Sequence, residues 1–240
     1  MSHTRRLARP GLLAGGLALV VLVLAEPAAA QSANRAAIDE LNTQLLYVAL
    51  PLTLFVELIL VYGVYRFRNN DDPQPTVDDP ALEITWTAAT AVILVFVGVS
   101  GYFVLSNPYI TPAAAQPADA DLEVEVVAYQ WGWEFRYPDG TVTRNRLVVP
   151  ARTDVRLVME SEDVIHSLYV PGLGLKQDVF PETERVARTN ASVGEYDLYC
   201  AEFCGAGHSR MHGTVVVVEP SAYDDRLAAA ARANGTAPAG

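Results

Sequence analysis

Four residues with sulfur or imidazole side chains lie close together near the C-terminus: Cys200, Cys204, His208 and Met211. A further histidine, His166, lies upstream at the end of a strand-like run. One thiolate, two imidazoles and a thioether form the ligand set of blue-copper electron-transfer sites. A second thiolate lets both sulfurs bridge two metal ions. One copper then keeps a histidine and the methionine, and the other takes the second histidine and a backbone carbonyl. The spacing therefore predicts a binuclear copper centre.

The same residues allow three other interpretations. A Cys200–Cys204 disulfide would close a very small loop and leave His208 and Met211 without a role. A structural zinc site could combine both cysteines with His208 and His212, but zinc gives no role to Met211. A redox dithiol more often has two residues between its cysteines and precedes a helix. Ligand softness favours copper over these alternatives.

The chain after Asp121 is typical of a β-domain that could position these ligands. Alternating or β-branched runs are separated by Pro, Gly, Asp and Asn, which predicts an antiparallel sandwich or barrel over residues 121–220. A short helix near residues 223–232 and a disordered end complete the C-terminal segment 221–240. The strand-like runs are Leu122–Val127, Arg146–Val149, Val155–Met159 and Thr214–Val218.

Half of the sequence, 51%, is hydrophobic, and much of that share lies in two long apolar stretches. Residues 45–65 carry a single charge, Glu57, and residues 84–105 carry none. At 1.5 Å rise per residue each stretch spans about 30 Å as a helix, which is enough to cross a bilayer. We expect a transmembrane hairpin within residues 31–106, followed by a proline-rich linker over 107–120.

The first 30 residues have the order of a secretory signal peptide: arginines, a short uncharged run and small residues before Gln31. We expect cleavage at that point; the alternative is a retained anchor, for which the apolar run is short. Arg66 and Arg68 in the hairpin loop agree with a translocated N-terminus. A multi-pass protein of the cell membrane is predicted, with a cytoplasmic loop and an extracellular or periplasmic β-domain.

The formal net charge is −11 at pH 7, and Lys176 is the only lysine. Most of the acidic excess lies after Ser106. This balance argues against a nucleic-acid partner, because phosphate binding needs clustered basic residues. It predicts a basic docking partner, or docking at high salt.

Glu57 is a separate anomaly, because charge at bilayer depth is costly. It should face a partner helix, a water path or a neighbouring subunit. A protonated glutamate hydrogen-bonded to a neighbouring subunit is the preferred interpretation.

Taken together, the sequence resembles subunit II of the haem-copper cytochrome c oxidases over nearly the whole mature chain. The family motif Cys-x-Glu-x-Cys-Gly-x-x-His-x-x-Met falls on residues 200–211, and the remote Asp-Val-x-His-Ser motif falls on residues 163–167. The resemblance implies a two-helix transmembrane hairpin followed by an all-β cupredoxin domain, a Greek-key β-sandwich. It also implies a binuclear copper centre, CuA, held by His166, Cys200, Glu202, Cys204, His208 and Met211.

The resemblance extends to residues around the centre. Trp131 matches the tryptophan through which electrons enter in this family, and Gly132 stands where an aromatic residue is more usual. Glu202 would bind one copper through its backbone carbonyl, and its side chain would reach a magnesium ion at the contact with subunit I. The segment 172–178, which contains Lys176, resembles the stretch that faces the catalytic subunit.

Glu83 precedes the second apolar stretch in a Glu-x-x-Trp-Thr setting. In the family this glutamate lies at the cytoplasmic mouth of a proton-uptake path into subunit I. The alternative is a charged flank at the membrane boundary, with Trp86 as an interfacial anchor. The proline that usually follows in the family is absent here.

The resemblance implies a subunit of a respiratory oxidase that accepts electrons from a soluble donor, either cytochrome c or a small blue-copper protein. Haem in subunit I would receive these electrons, and oxygen would be reduced to water in that subunit while protons are translocated. Subunit III is a further expected partner. Two alternatives remain open: the CuA subunit of a membrane nitric-oxide reductase, and a membrane-tethered copper carrier.

Overall fold

The computed structural model describes residues 31–75, 77–111 and 119–233. In chain order these residues form two long α-helices, ten β-strands and a C-terminal helix, with three short 3-10 turns between them. The predicted signal peptide lies outside the described residues, as do residues 112–118 of the predicted linker and the last residues of the chain.

Two long helices, α1 (Ala33–Phe67) and α2 (Pro80–Leu105), form the N-terminal hairpin. The Ser32 hydroxyl caps α1 by accepting from the backbone N–H of the first turn, and the Asp79 carboxylate does the same for α2. Both helices are long and apolar enough to cross a membrane. Most of the large apolar side chains are exposed, on every face of both helices. This is expected for helices that lipid and other subunits cover.

Helix α1 begins well before the apolar stretch at 45–65, because its first turn is bound to the β-domain. The backbone N–H of Ala33 donates to the carbonyl of Asn190 at 2.9 Å. The buried side-chain amide of Asn34 donates to the carbonyl of Arg188 at 2.9 Å and to that of Tyr109. These polar contacts attach the N-terminal end of α1 to the β-domain, so the helix begins before its apolar part.

Ten strands build the β-domain in two five-stranded sheets. The strands are β1 (Leu122–Tyr129), β2 (Gly132–Arg136), β3 (Val142–Arg144), β4 (Arg146–Pro150), β5 (Val155–Ser161), β6 (His166–Val170), β7 (Leu175–Val179), β8 (Arg185–Thr189), β9 (Gly194–Cys200) and β10 (His212–Val218). One sheet has the order β3-β2-β1-β5-β8 and the other has the order β4-β10-β9-β6-β7. A membrane hairpin followed by an all-β sandwich confirms the predicted fold class.

The expectation of a purely antiparallel sandwich is wrong for two strand pairs. β1 runs parallel to β5, and β4 runs parallel to β10. The other ladders among the described strands are antiparallel. Between the two strands of each parallel pair, the chain passes through at least one strand of the opposite sheet, so it crosses the sandwich. Alternating residues have the same pattern in both directions and therefore could not reveal this difference.

The core lies between the two sheets and is made of side chains that alternate inward along each strand. β1 contributes Val124 and Val126, and β2 contributes Trp133 and Phe135, all fully buried. Burial of each such side chain stabilises the fold by roughly 1.5–3 kcal/mol. A short helix, α3 (Tyr223–Ala233), packs against β4. This core fixes the ends of β6, β9 and β10, where the predicted ligands lie.

Candidate metal centre

Three neighbouring strands carry the predicted ligands to one edge of the second sheet. His166 is the first residue of β6, Cys200 is the last residue of β9, and Met211 immediately precedes β10. β9 lies between the other two and is antiparallel to both, so its end meets their beginnings. The loop that joins β9 to β10 adds Cys204 and His208.

The side chains of these five residues converge. The sulfurs of Cys200 and Cys204 are 3.8 Å apart. His166 Nδ1 lies 3.8 Å from Cys200 Sγ, and His208 Nδ1 lies 3.6 Å from Cys204 Sγ. Met211 Sδ is 3.8 Å from Cys204 Sγ. Each histidine therefore presents Nδ1 to a different sulfur, with the thioether on the Cys204 side.

The Glu202 backbone carbonyl also faces the cluster and accepts from the Cys200 thiol at 3.2 Å. The Glu202 side chain is exposed. Glu83, by contrast, is exposed in the first turn of α2 and belongs to the hairpin rather than to this cluster. The structure thus brings the five side chains and one carbonyl together and leaves Glu83 apart.

His212 does not join the cluster. Its side chain is exposed, and its Nε2 lies 2.8 Å from the carbonyl of Ser209. The structure therefore does not assemble the zinc arrangement that would use His208 and His212 together.

The two cysteine thiols are electrostatically unequal. At Cys200 burial opposes ionisation, but hydrogen bonds with the His166 imidazole and with the backbone outweigh it and lower the pKa of the thiol. At Cys204 burial and the charge of the neighbouring Cys200 raise the pKa. Cys200 is therefore the first of the pair to present a thiolate, the form that binds metal.

Asp163 orients His166 from the side opposite the sulfurs. His166 Nε2 lies 2.8 Å from Asp163 Oδ1, and Asp163 Oδ2 accepts from the backbone N–H of Gln130 at 2.7 Å. Burial alone would raise the pKa of Asp163, but the hydrogen bonds from His166, Val164 and Gln130 lower it. A metal-binding histidine commonly donates its second ring N–H to a carboxylate in this way, which fixes the ring and leaves Nδ1 free for metal.

We expect Asp163→Asn to lower copper affinity about 10- to 100-fold, the usual cost of removing the partner of a metal-binding histidine. Asparagine offers only one side-chain acceptor atom, so either His166 or the Gln130 N–H loses its partner. Competition with a copper chelator measures the change. Glu162→Gln, at the exposed neighbour, is the control and should leave the affinity unchanged. Equal affinities for the two variants would show that Asp163 has no such role.

Trp131 connects the protein surface to the ligand loop. Its side chain is 40% exposed, and its indole N–H donates to the carbonyl of Cys204 at 3.1 Å. The side-chain amide of Gln130 donates to the same carbonyl at 2.7 Å. A partly exposed aromatic ring is therefore hydrogen-bonded directly to the backbone of a candidate ligand.

Gly207 is required by the close approach of this indole ring. A Cβ at Gly207 would lie 2.2 Å from Cδ2 of Trp131, a distance that no side chain tolerates. Gly205 has a φ of 109°, in the region that favours glycine. The two glycines let the ligand loop turn sharply and pack beneath the ring.

The unusual Gly132 has a structural explanation. A Cβ at this position would lie 2.7 Å from the hydroxyl oxygen of Tyr129 and 3.1 Å from Oδ1 of Asn145. The Tyr129 ring therefore occupies the space next to Gly132, which is paired with it across the β1–β2 ladder. An aromatic ring is still present here, but it comes from the adjoining strand.

Sequence reasoning missed the roles of Asp163 and Gln130. Asp163 appeared only as part of a motif, although its position three residues before His166 was a usable signal. Gln130 gave no signal, because its contacts with Asp163 and Cys204 join segments that are distant in the sequence.

The donor set fits copper. Cys200, Cys204, Met211 and His166 are buried, His208 is half-buried, and the donor atoms comprise two thiol sulfurs, two imidazole nitrogens and a thioether. Copper accepts all three kinds of donor, whereas zinc sites do not normally use a thioether.

A two-sheet sandwich with buried sulfur and imidazole donors at one end defines a copper-binding domain of the cupredoxin type. Comparison with known families narrows this class. The family model "Cytochrome C oxidase subunit II, periplasmic domain" matches residues 141–219, and the corresponding transmembrane domain matches residues 22–104. The chain belongs to the cytochrome c oxidase subunit II family, whose members are part of haem-copper oxidoreductase complexes.

Curated relatives agree with this assignment. Cytochrome c oxidase subunit 2 of Synechocystis is 33% identical, and the match covers 85% of this chain and 75% of that protein. The probable cytochrome c oxidase subunit 2 of Rickettsia bellii is 32% identical over 77% of this chain and 76% of that protein. A solved structure is also similar: the periplasmic domain of subunit II of Bradyrhizobium japonicum cytochrome oxidase, which is 26% identical. The match covers 48% of this chain and 97% of that domain, with a TM-score of 0.45. The two family models indicate a membrane protein with a periplasmic domain.

Proposed function

We propose that this chain is the subunit through which electrons enter a cytochrome c oxidase. It would receive them from a soluble donor and deliver them to haem in the catalytic subunit, where oxygen is reduced. The observation that carries the proposal is the cluster in which Cys200 Sγ and Cys204 Sγ lie 3.8 Å apart, with one histidine Nδ1 beside each. Family membership supports the same function, and the relatives described above are oxidase subunits rather than nitric-oxide reductases or copper carriers.

His166, Cys200, Cys204, His208, Met211 and the Glu202 carbonyl would hold a binuclear copper centre. Bound copper would supply one-electron acceptance and release, with the charge shared over two ions. The chain holds the donors on strand ends and one tight loop, and it keeps four of the five donor side chains away from water. A site held this rigidly limits the movement of its ligands when the charge changes.

The donor face would surround Trp131. Exposed apolar side chains lie on or beside the segments that carry the ligands: Trp131 is 40% exposed, Ile165 is 43% exposed and Phe203 is 77% exposed. Exposed apolar groups of this size mark interaction surfaces. The acidic domain around them would attract a basic cytochrome c, although a small blue-copper protein would fit the same face.

The remaining assignments come from the resemblance. The exposed Glu202 carboxylate is available to a magnesium ion at the contact with subunit I, and Glu83 at the start of α2 is available as the opening of a proton-uptake path. We also propose subunit III as a partner, a cytoplasmic loop between α1 and α2, and a cleaved signal peptide over residues 1–30. The hairpin would occupy residues 31–106, the linker 107–120 and the copper domain 121–220.

Copper reconstitution of the full chain in detergent tests the proposal. We expect a purple protein whose electron-spin spectrum shows one unpaired electron shared over two copper nuclei. A colourless zinc protein or a single-copper blue spectrum would contradict the binuclear centre. Consumption of oxygen rather than nitric oxide by the purified complex would then separate the oxidase from the reductase alternative.

A further inference from the structure

Glu57 is a carboxyl group deep within a helix that crosses the membrane. At 1.5 Å per residue it lies roughly 18 Å from one end of the apolar stretch 45–65 and 12 Å from the other. Its side chain is exposed, and no hydrogen bond or ion pair to it is formed within the described part of the chain. A carboxyl group at this depth is costly in lipid. Glu57 therefore requires a partner from outside the hairpin.

The other helix of the hairpin does not supply that partner. α1 packs against α2, and beyond its first two turns its partly buried residues are Leu41, Leu45, Val48 and Gly63. At about 100° per residue, Glu57 lies about 120–180° around the helix axis from each of them. The carboxyl group thus lies on the side of α1 away from its partly buried residues.

The surface around this carboxyl group has the character of a helix-docking face. Thr53 lies one turn away and adds a second polar group on the same side, whereas the other side chains there are apolar and exposed. Interhelical hydrogen bonds between polar side chains are a recognised source of helix association in membranes. We call this surface the Glu57 face of α1, and it comprises Leu50, Thr53, Leu54, Glu57, Leu60, Val61 and Val64.

We propose that the Glu57 face binds a membrane helix of the haem-copper catalytic subunit, which presents a hydroxyl, imidazole or guanidinium donor at the depth of Glu57. The inference rests on the proposed function, since the oxidase complex supplies that subunit. The face needs an apolar surface with one hydrogen-bond donor or positive charge, and the stretch 84–105 of α2 carries no positive charge to offer. The carboxyl group fixes both the side of α1 that meets the catalytic subunit and the axial register of the contact.

Capture of the intact complex from membranes of its native host tests this contact. The full chain is tagged, the membranes are solubilised in mild detergent, and the catalytic subunit is quantified per copy of the captured chain. We expect Glu57→Leu to lower that ratio about tenfold, because it leaves the partner's donor unpaired. Glu57→Gln, which keeps the hydrogen-bonding group, should retain the wild-type ratio. Insertion of the hairpin should not suffer, because leucine is more favourable than glutamate in lipid.

A rotated carboxyl group is the matched control. The double substitution Glu57→Leu with Leu58→Glu keeps the carboxyl group at nearly the same depth but turns it by about 100° around the axis. It should not restore the ratio. A wild-type ratio for Glu57→Leu, or full restoration by the rotated carboxyl group, would overturn the inference. If the wild-type chain itself captures no catalytic subunit, the proposed function fails instead.

Discussion

Replacing Cys200 with serine is expected to convert the proposed binuclear copper centre into a single-copper site. The contacts are divided between the two sulfurs: His166 lies beside Cys200, whereas His208 and Met211 lie beside Cys204. Loss of the Cys200 thiolate would remove one of the two sulfurs that would hold the copper, but it leaves a thiolate, an imidazole and a thioether together, which is sufficient for one copper.

We expect oxidase activity with the soluble donor to fall by more than about 100-fold, because changes to groups behind the metal ligands already cost up to that amount. The copper content per chain and the electron-spin spectrum measure the conversion directly. Met211→Leu is the comparison variant: its copper should remain binuclear, and mainly the reduction potential should shift. A Cys200→Ser protein that still binds two coppers and shows the shared-electron spectrum would contradict the proposed ligand arrangement.

Replacing Trp131 with leucine is expected to slow electron uptake from the donor on the order of 100-fold, the loss that a misplacement of about 1 Å can cause at a reacting group. The indole is both exposed and hydrogen-bonded to the Cys204 carbonyl, so it would join the proposed donor face to the centre. The copper spectrum should change little, because no ligand is removed. Stopped-flow reduction of the complex by the donor measures the effect.

Gly207→Ala displaces the indole ring of Trp131 without removing it. The added methyl group would overlap the indole, so the ring must shift while Trp131 itself remains. We expect electron uptake to slow and the tryptophan fluorescence to change, with copper still bound. Ala206→Ser, at the exposed neighbouring position, should behave as wild type. Unchanged donor kinetics in both Trp131→Leu and Gly207→Ala would exclude this residue from the route.

The hairpin and the ligand motif were predictable because their signals are local. An apolar stretch of sufficient length indicates a membrane helix without reference to the rest of the chain. The residue types at 200–211 likewise indicate a soft metal, because one loop carries most of the donors. The alternation of residues after Asp121 was also sufficient to predict a sandwich or barrel.

Other features depend on contacts between distant segments. The start of α1 at Ala33 follows from hydrogen bonds to the end of β8, and the parallel pairing of β1 with β5 follows from the path of the chain across the sandwich. The close approach of the Tyr129 ring to Gly132 also required the fold. The residue types and their spacing do not indicate these contacts between distant segments.

The sequence alone determined the chemistry of this protein: two thiols, two imidazoles and a thioether that suit copper, with an apolar hairpin that suits a membrane. The tertiary structure decided how that chemistry is arranged. It placed each histidine beside a different sulfur, Asp163 behind His166, and Trp131 over the ligand loop. The physical reason is that donor identity belongs to individual side chains, whereas distance, burial and direction depend on strands and helices that meet only in the folded chain.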